Sequence, residues 1–138
     1  MGIKVGARYA GGGRCEFIVW APQAHEVAVK LVSPGVGMIP MERDEWGYWR
    51  AMAEDIRPSA KYLYRINNDE ERPDPASHFQ PLGVYGPSAV VAHDEFTWSD
   101  RAWTGVPQER LVIYELHTGV FTPEGTFDAV IPRLPALR

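Results

Sequence analysis

One cysteine, Cys15, in 138 residues excludes an internal disulfide. No apolar run approaches the roughly 20 residues that cross a bilayer, and the start Met1-Gly2-Ile3-Lys4 has no apolar stretch of the signal-peptide kind. Both absences predict a reduced, cytoplasmic setting with no membrane partner. Positive charge is also sparse. Lys and Arg number 14 against 18 Asp and Glu, for a formal net charge of -4, and the cations are scattered, which excludes the basic footprint of a nucleic-acid binder. The histidines His25, His78, His93 and His117 are far apart in the chain, with no second ligand at helical or hairpin spacing. No metal and no cofactor is assigned.

What is present is a succession of short runs with period-two patterning, broken by turn residues. Phe17-Ile18-Val19-Trp20 ends at Ala21-Pro22. Val27, Val29 and Leu31 alternate with Ala28 and Lys30 up to Ser33-Pro34-Gly35. A weaker run covers Met38 to Met41, and Asp44-Glu45-Trp46-Gly47 supplies a turn before Tyr48-Trp49-Arg50-Ala51-Met52. Tyr62, Tyr64 and Ile66 alternate with Leu63, Arg65 and Asn67 and reach a polar tip over 67–71, as a hairpin arm does. Strands about ten residues apart with no helical period between them predict an all-β, antiparallel sandwich of the immunoglobulin-like kind over 1–100. Pro73, Pro75, Pro81, Gly83, Gly86 and Pro87 make 72–87 an ordered loop, after which 89–91 and 96–98 are expected to complete the sheets.

Residues 101–110 read as a linker. The run Leu111-Val112-Ile113-Tyr114-Glu115-Leu116 that follows is nearly all apolar, the pattern of a strand buried on both faces in a parallel sheet. A loop and a helix N-capped by Thr126 are expected next, with Pro132 stopping or kinking that helix. A strand, a loop and the start of a helix form the opening of a βα unit, so 111–138 is expected to be the beginning of a longer domain.

Three stretches, taken in order, resemble the maltooligosyltrehalose trehalohydrolases, a branch of the α-amylase family of glycoside hydrolases. The first is Phe17-Ile18-Val19-Trp20-Ala21-Pro22 with Val27-Ala28-Val29. The second is Arg72-Pro73-Asp74-Pro75-Ala76-Ser77, continuing through Gln80-Pro81-Leu82-Gly83-Val84 to Gly86-Pro87-Ser88. The third is Val112-Ile113-Tyr114-Glu115-Leu116-His117 with Gly119 and 121–127. The resemblance implies a sandwich followed by the first strand, loop and helix start of a (β/α)8 barrel. It also implies a parent enzyme that releases trehalose by cleaving the α-1,4 bond beside the terminal trehalose of maltooligosyl trehalose. Its partners would be α-glucan and its own downstream barrel.

Retaining hydrolysis needs two carboxyl groups about 5 Å apart. In that family they lie on later strands, so no catalytic residue is assigned within 1–138. Candidate substrate contacts are Trp46, Tyr48 and Trp49, because flat aromatic faces stack on sugar rings, and His117, which the resemblance puts at a barrel mouth. The same aromatics also suit plain core packing, and Glu115 with His117 suits an internal polar network. A stand-alone glucan-binding module, and the same domain of a branching or debranching enzyme, are the rival readings.

Overall fold

The computed structural model describes residues 4–67 and 70–137. Two compact units make up the chain, Met1–Trp98 and Ser99–Arg138. Among the described residues of the first unit nine strands follow one another: β1 (Gly6–Gly11), β2 (Arg14–Trp20), β3 (Val27–Ser33), β4 (Gly37–Pro40), β5 (Glu42–Arg43), β6 (Tyr48–Ala53), β7 (Lys61–Ile66), β8 (Glu70–Arg72) and β9 (Ser88–Ala89). They form two antiparallel sheets, ordered β1-β2-β6-β5 and β4-β3-β7-β8, with β9 also on β7. This is the immunoglobulin-like sandwich that the alternation predicts. The chain changes sheets at Met41, between β4 and β5, and the Met41 N–H stays tied to the Val27 carbonyl at 3.0 Å.

Strand parity builds the core. Cys15, Phe17 and Val19 of β2 face inward with Trp49, Ala51 and Ala53 of β6, and meet Val27 and Val29 of β3 and Tyr62 and Tyr64 of β7. Phe17 packs edge-on against Tyr62, with ring centroids 5.0 Å apart, so the two sheets interlock through aromatic contact as well as buried area. Between β8 and β9, residues 73–87 wind through a series of turns, as their proline content predicts. Asp74, only 3% exposed, anchors that loop to the core.

One expectation for this unit needs correction, that 96–98 complete a sheet. β1 is an additional strand, joined to β2 through Gly11, Gly12 and Gly13, all at positive φ. Residues 96–98 join no sheet among the described residues. A 3₁₀ turn at His93–Glu95 redirects the backbone after the two-residue β9, leaving Phe96 and Trp98 exposed with their rings 4.9 Å apart. Of the polar tip, Asn68 and Asp69 lie outside the described residues, whereas Glu70–Arg72 returns along β7 as β8.

In the second unit, residues 111–116 have no ladder partner among the described residues, and Leu111, Val112, Ile113 and Tyr114 are exposed. The expected burial on both faces is absent for a physical reason. A parallel strand draws its hydrogen bonds from strands on either edge, and among the described residues of this unit no segment is a strand. Two single-turn helices follow, α1 (Thr118–Phe121) and α2 (Phe127–Val130). The Thr126 hydroxyl accepts from the Ala129 N–H at 3.3 Å, the expected N-cap. α2 gives way at Ile131 to a 3₁₀ segment holding Pro135, as the proline argument anticipates.

Burial pushes the Cys15 thiol from 9.0 up to about 12, and burial followed by the negative charge of Asp74 pushes the Tyr62 and Tyr64 phenols up as well. Between pH 9.0 and about 12 the native state therefore keeps a proton on Cys15 that the unfolded chain has released, and stability falls as pH rises. Urea midpoints should be flat up to about pH 8 and lower at about pH 10.5. A Cys15→Ala variant should lose part of that alkaline slope, and an unchanged slope in both proteins would contradict the assignment.

Candidate functional site

The turn before β6 is built by a single side chain. Asp44 Oδ1 accepts from the Trp46 N–H at 3.0 Å and the Tyr48 N–H at 2.9 Å, and the Gly47 N–H closes the turn on the Asp44 carbonyl at 3.2 Å. An Asx-type turn of this sort is the reason Asp suits the first position. Asp44 Oδ2 lies 3.6 Å from Arg50 Nη2 on the adjoining strand.

Two indoles stitch this turn to the end of β2. Trp49 Nε1 donates to the Ala21 carbonyl at 3.0 Å, and Trp20 Nε1 donates to the Trp46 carbonyl at 3.2 Å. The Ala21 N–H donates to the Gly47 carbonyl at 3.0 Å, and Arg43 Nη2 donates to the Pro22 carbonyl at 2.7 Å. A corner with this many backbone ties holds its side chains with little freedom to lose on binding.

The outer face of that corner is aromatic. Trp20 and Tyr48 are cross-strand partners on the solvent side of the β2–β6 pair, and Trp46 stands beside them on the turn. Trp20 is 58% exposed and Trp46 61%, while Tyr48 is half-buried. Trp20 also borders a concavity of about 470 Å³ whose lining includes Ile66, Arg72, Pro73, Gln80 and Val84. An exposed indole bordering an apolar hollow with an arginine and an amide in its wall, and a second exposed indole on the adjoining turn, match what a sugar ring needs, apolar faces for its C–H surfaces and a few polar groups for its hydroxyls.

The four residues read from the sequence separate accordingly. Trp46 and Tyr48 lie together on the surface. Trp49 is 6% exposed and belongs to the core, because parity places it with Ala51 and Ala53; it cannot offer a face to a ligand, and its candidacy as a substrate contact is corrected. His117 lies in the second unit, where its backbone carbonyl accepts from Val120 and Phe121 at 3.0 Å each and its exposed imidazole folds back beside Gly119. Trp20 was not among the four, although its signal was available: if Cys15, Phe17 and Val19 point inward, Trp20 points out. Among the described residues no group of three or more His, Cys, Asp or Glu could hold a metal ion, and no helix is long and apolar enough to cross a membrane.

Residues 1–79 match the family model described as carbohydrate-binding module 48, the isoamylase N-terminal domain. The chain is 43% identical over 122 residues to the malto-oligosyltrehalose trehalohydrolase of Saccharolobus solfataricus, covering 88% of this chain and 21% of that protein. It is 40% identical over 123 residues to the enzyme of that name from Arthrobacter ramosus, again 88% of this chain and 21% of the other. Among solved structures, a Salmonella typhimurium protein assigned as an alpha amylase superposes with a TM-score of 0.88 at 34% identity, over 99% of this chain and 23% of its own. The chain thus spans about a fifth of the length of the curated relatives it matches.

Proposed function

Because this chain belongs to the carbohydrate-binding module 48 family, the isoamylase N-terminal domain, we propose that it is the front module of a retaining α-glycoside hydrolase. The reaction we assign to the parent is cleavage of the α-1,4 bond next to the terminal trehalose of maltooligosyl trehalose, in the cytoplasm. The observation that carries this reading is the extent of the likeness. The match to the trehalohydrolases covers 88% of the chain, well past residue 79 where the match to the family model stops. On this reading residues 111–116 are the first stave of a (β/α)8 barrel, and their exposed apolar side chains are the surface that neighbouring staves cover. The two carboxyl groups of retaining hydrolysis would be supplied from outside residues 1–138, and His117 would sit at the barrel mouth.

Within the module, the Trp20, Trp46 and Tyr48 corner is the surface that meets α-glucan. Titrating residues 1–138 with maltoheptaose while following tryptophan fluorescence should give a saturable change in the millimolar range. Trp46→Ala and Trp20→Ala should each weaken it about tenfold, the loss of one stacking face. A silent titration at millimolar ligand would remove the glucan role. The parent reaction is tested separately. The full-length protein should release free trehalose from maltooligosyl trehalose, and formation of α-1,6 branches in its place would favour the branching-enzyme reading.

A further inference from the structure

Lys4, Arg8, His78 and His93 come from three separate stretches of the chain, yet they line one pocket of about 350 Å³ together with Tyr9 and Asp94. β1 contributes Arg8 from its solvent side and Tyr9 from its core side. The loop after Ser77 contributes His78, and the 3₁₀ turn contributes His93 and Asp94. The Ala89 N–H on the Phe79 carbonyl at 2.8 Å fastens that loop to β9, keeping the two imidazoles in contact, their ring centroids 4.7 Å apart and their planes at 78°. In a chain of net charge -4, this pocket gathers two cations, two imidazoles and a single carboxylate. Among the described residues neither Lys4 nor Arg8 is in an ion pair.

We propose that this pocket binds the phosphate monoester of a sugar. Arg8 is suited to clasp two phosphate oxygens through its planar fork, and Lys4 adds a point charge. The two histidines give the site its pH response. A protonated imidazole adds a charge-assisted donor beside a phosphate dianion, so phosphate binding and protonation reinforce each other. The groups facing the two imidazoles are Lys4, which precedes β1, Arg8 and Tyr9 from β1, and Asp94 from the turn itself. Asp94 argues for a sugar phosphate over bare phosphate. A carboxylate repels a dianion but accepts hydrogen bonds from hydroxyls, and the pocket is large enough for a small ligand of hexose size.

A free sugar phosphate and a phosphorylated residue of a glucan chain share this chemistry. The test is therefore calorimetry with glucose 6-phosphate, a 6-phosphorylated maltooligosaccharide, inorganic phosphate and glucose, at about pH 6 and about pH 8, where histidines as a class change charge. At least one sugar phosphate should bind saturably, and more tightly than inorganic phosphate; which one binds tighter identifies the source. Glucose should be silent, and affinity should fall about tenfold at the higher pH. Arg8→Gln, at an exposed edge-strand position, should weaken binding about tenfold, and Asp94→Asn should narrow the gap between sugar phosphate and inorganic phosphate. Amide NMR shifts on ligand addition should be confined to β1, residues 77–79 and residues 93–95. No binding, equal affinity for inorganic phosphate, or indifference to Arg8→Gln in a protein with unchanged amide spectra would overturn the proposal.

Discussion

Asp74→Ala should lower the stability of the sandwich by about 3 to 5 kcal/mol, more than any surface change in the chain. The carboxylate is 3% exposed and has no cationic partner among the described residues; hydrogen-bond donors alone sustain it. Oδ2 accepts from the Tyr62 hydroxyl at 2.6 Å and the Tyr64 hydroxyl at 3.4 Å, and Oδ1 accepts from the Ala76 N–H at 2.8 Å. The Asp74 N–H in turn donates to Ser88 Oγ at 3.0 Å, so one residue joins β7, the proline-rich loop and β9. Truncation strands two phenols and an amide, each costing about 1–3 kcal/mol when buried and unpaired, with water entering the gap to recover part of it. For a domain of this size the thermal midpoint should drop roughly 15 °C. Tyr62→Phe removes one donor and keeps the carboxylate, and should cost about half as much. Calorimetric melting of the three proteins checks the order, and a midpoint for Asp74→Ala within about 2 °C of the parent would show that the network is dispensable.

The strands that carry this network were legible because their parity is strong. Cys15, Phe17 and Val19 on β2 alternate with Glu16 and Ile18, Tyr62 and Tyr64 on β7 alternate with Leu63 and Arg65, and Pro22 and Pro58 punctuate the two runs. β1 escaped the same logic. Its inward positions are Ala7 and Tyr9, a small residue and an amphipathic one between glycines, and the strand is defined mainly by the partner it pairs with. The aromatic corner was half legible. The turn signal at Asp44 to Gly47 marked Trp46, Tyr48 and Trp49 as candidates, whereas finding that Trp49 is core and Trp20 is exposed required knowing which face of β2 and β6 is the core. The gathering of Lys4, Arg8, His78 and His93 could not be read at all, since the pocket depends on where a proline-rich loop crosses an edge strand. At 111–116 the composition marks a segment suited to burial, whereas its apolar side chains are exposed; burial depends on partners, which no pattern within a segment contains.

Gly47→Ala should destabilise the protein by about 3 kcal/mol and dismantle the aromatic corner in the same step. Gly47 sits at φ +85°, where a Cβ alone costs about 1–2 kcal/mol. A methyl group there would also stand 2.7 Å from Pro22 Cβ and 2.8 Å from Pro22 Cα, and the second of these is backbone that cannot swing aside. Relief requires the turn to move away from Pro22, which breaks the Ala21 to Gly47 hydrogen bond and draws the Trp46 carbonyl off the Trp20 indole. Stability loss and loss of the maltoheptaose response should therefore appear together, the affinity falling by at least the tenfold expected of Trp46→Ala. Gly35→Ala is the matched control. Its Cβ would meet nothing within 4 Å, its φ is not positive, and both its melting point and its titration should equal those of the parent. If Gly47→Ala melted normally and still answered maltoheptaose, the turn would be free to relax and the rigidity assigned to this corner would be wrong. If it melted low but bound sugar at full strength, the corner would be structural and the glucan would be held elsewhere on the module.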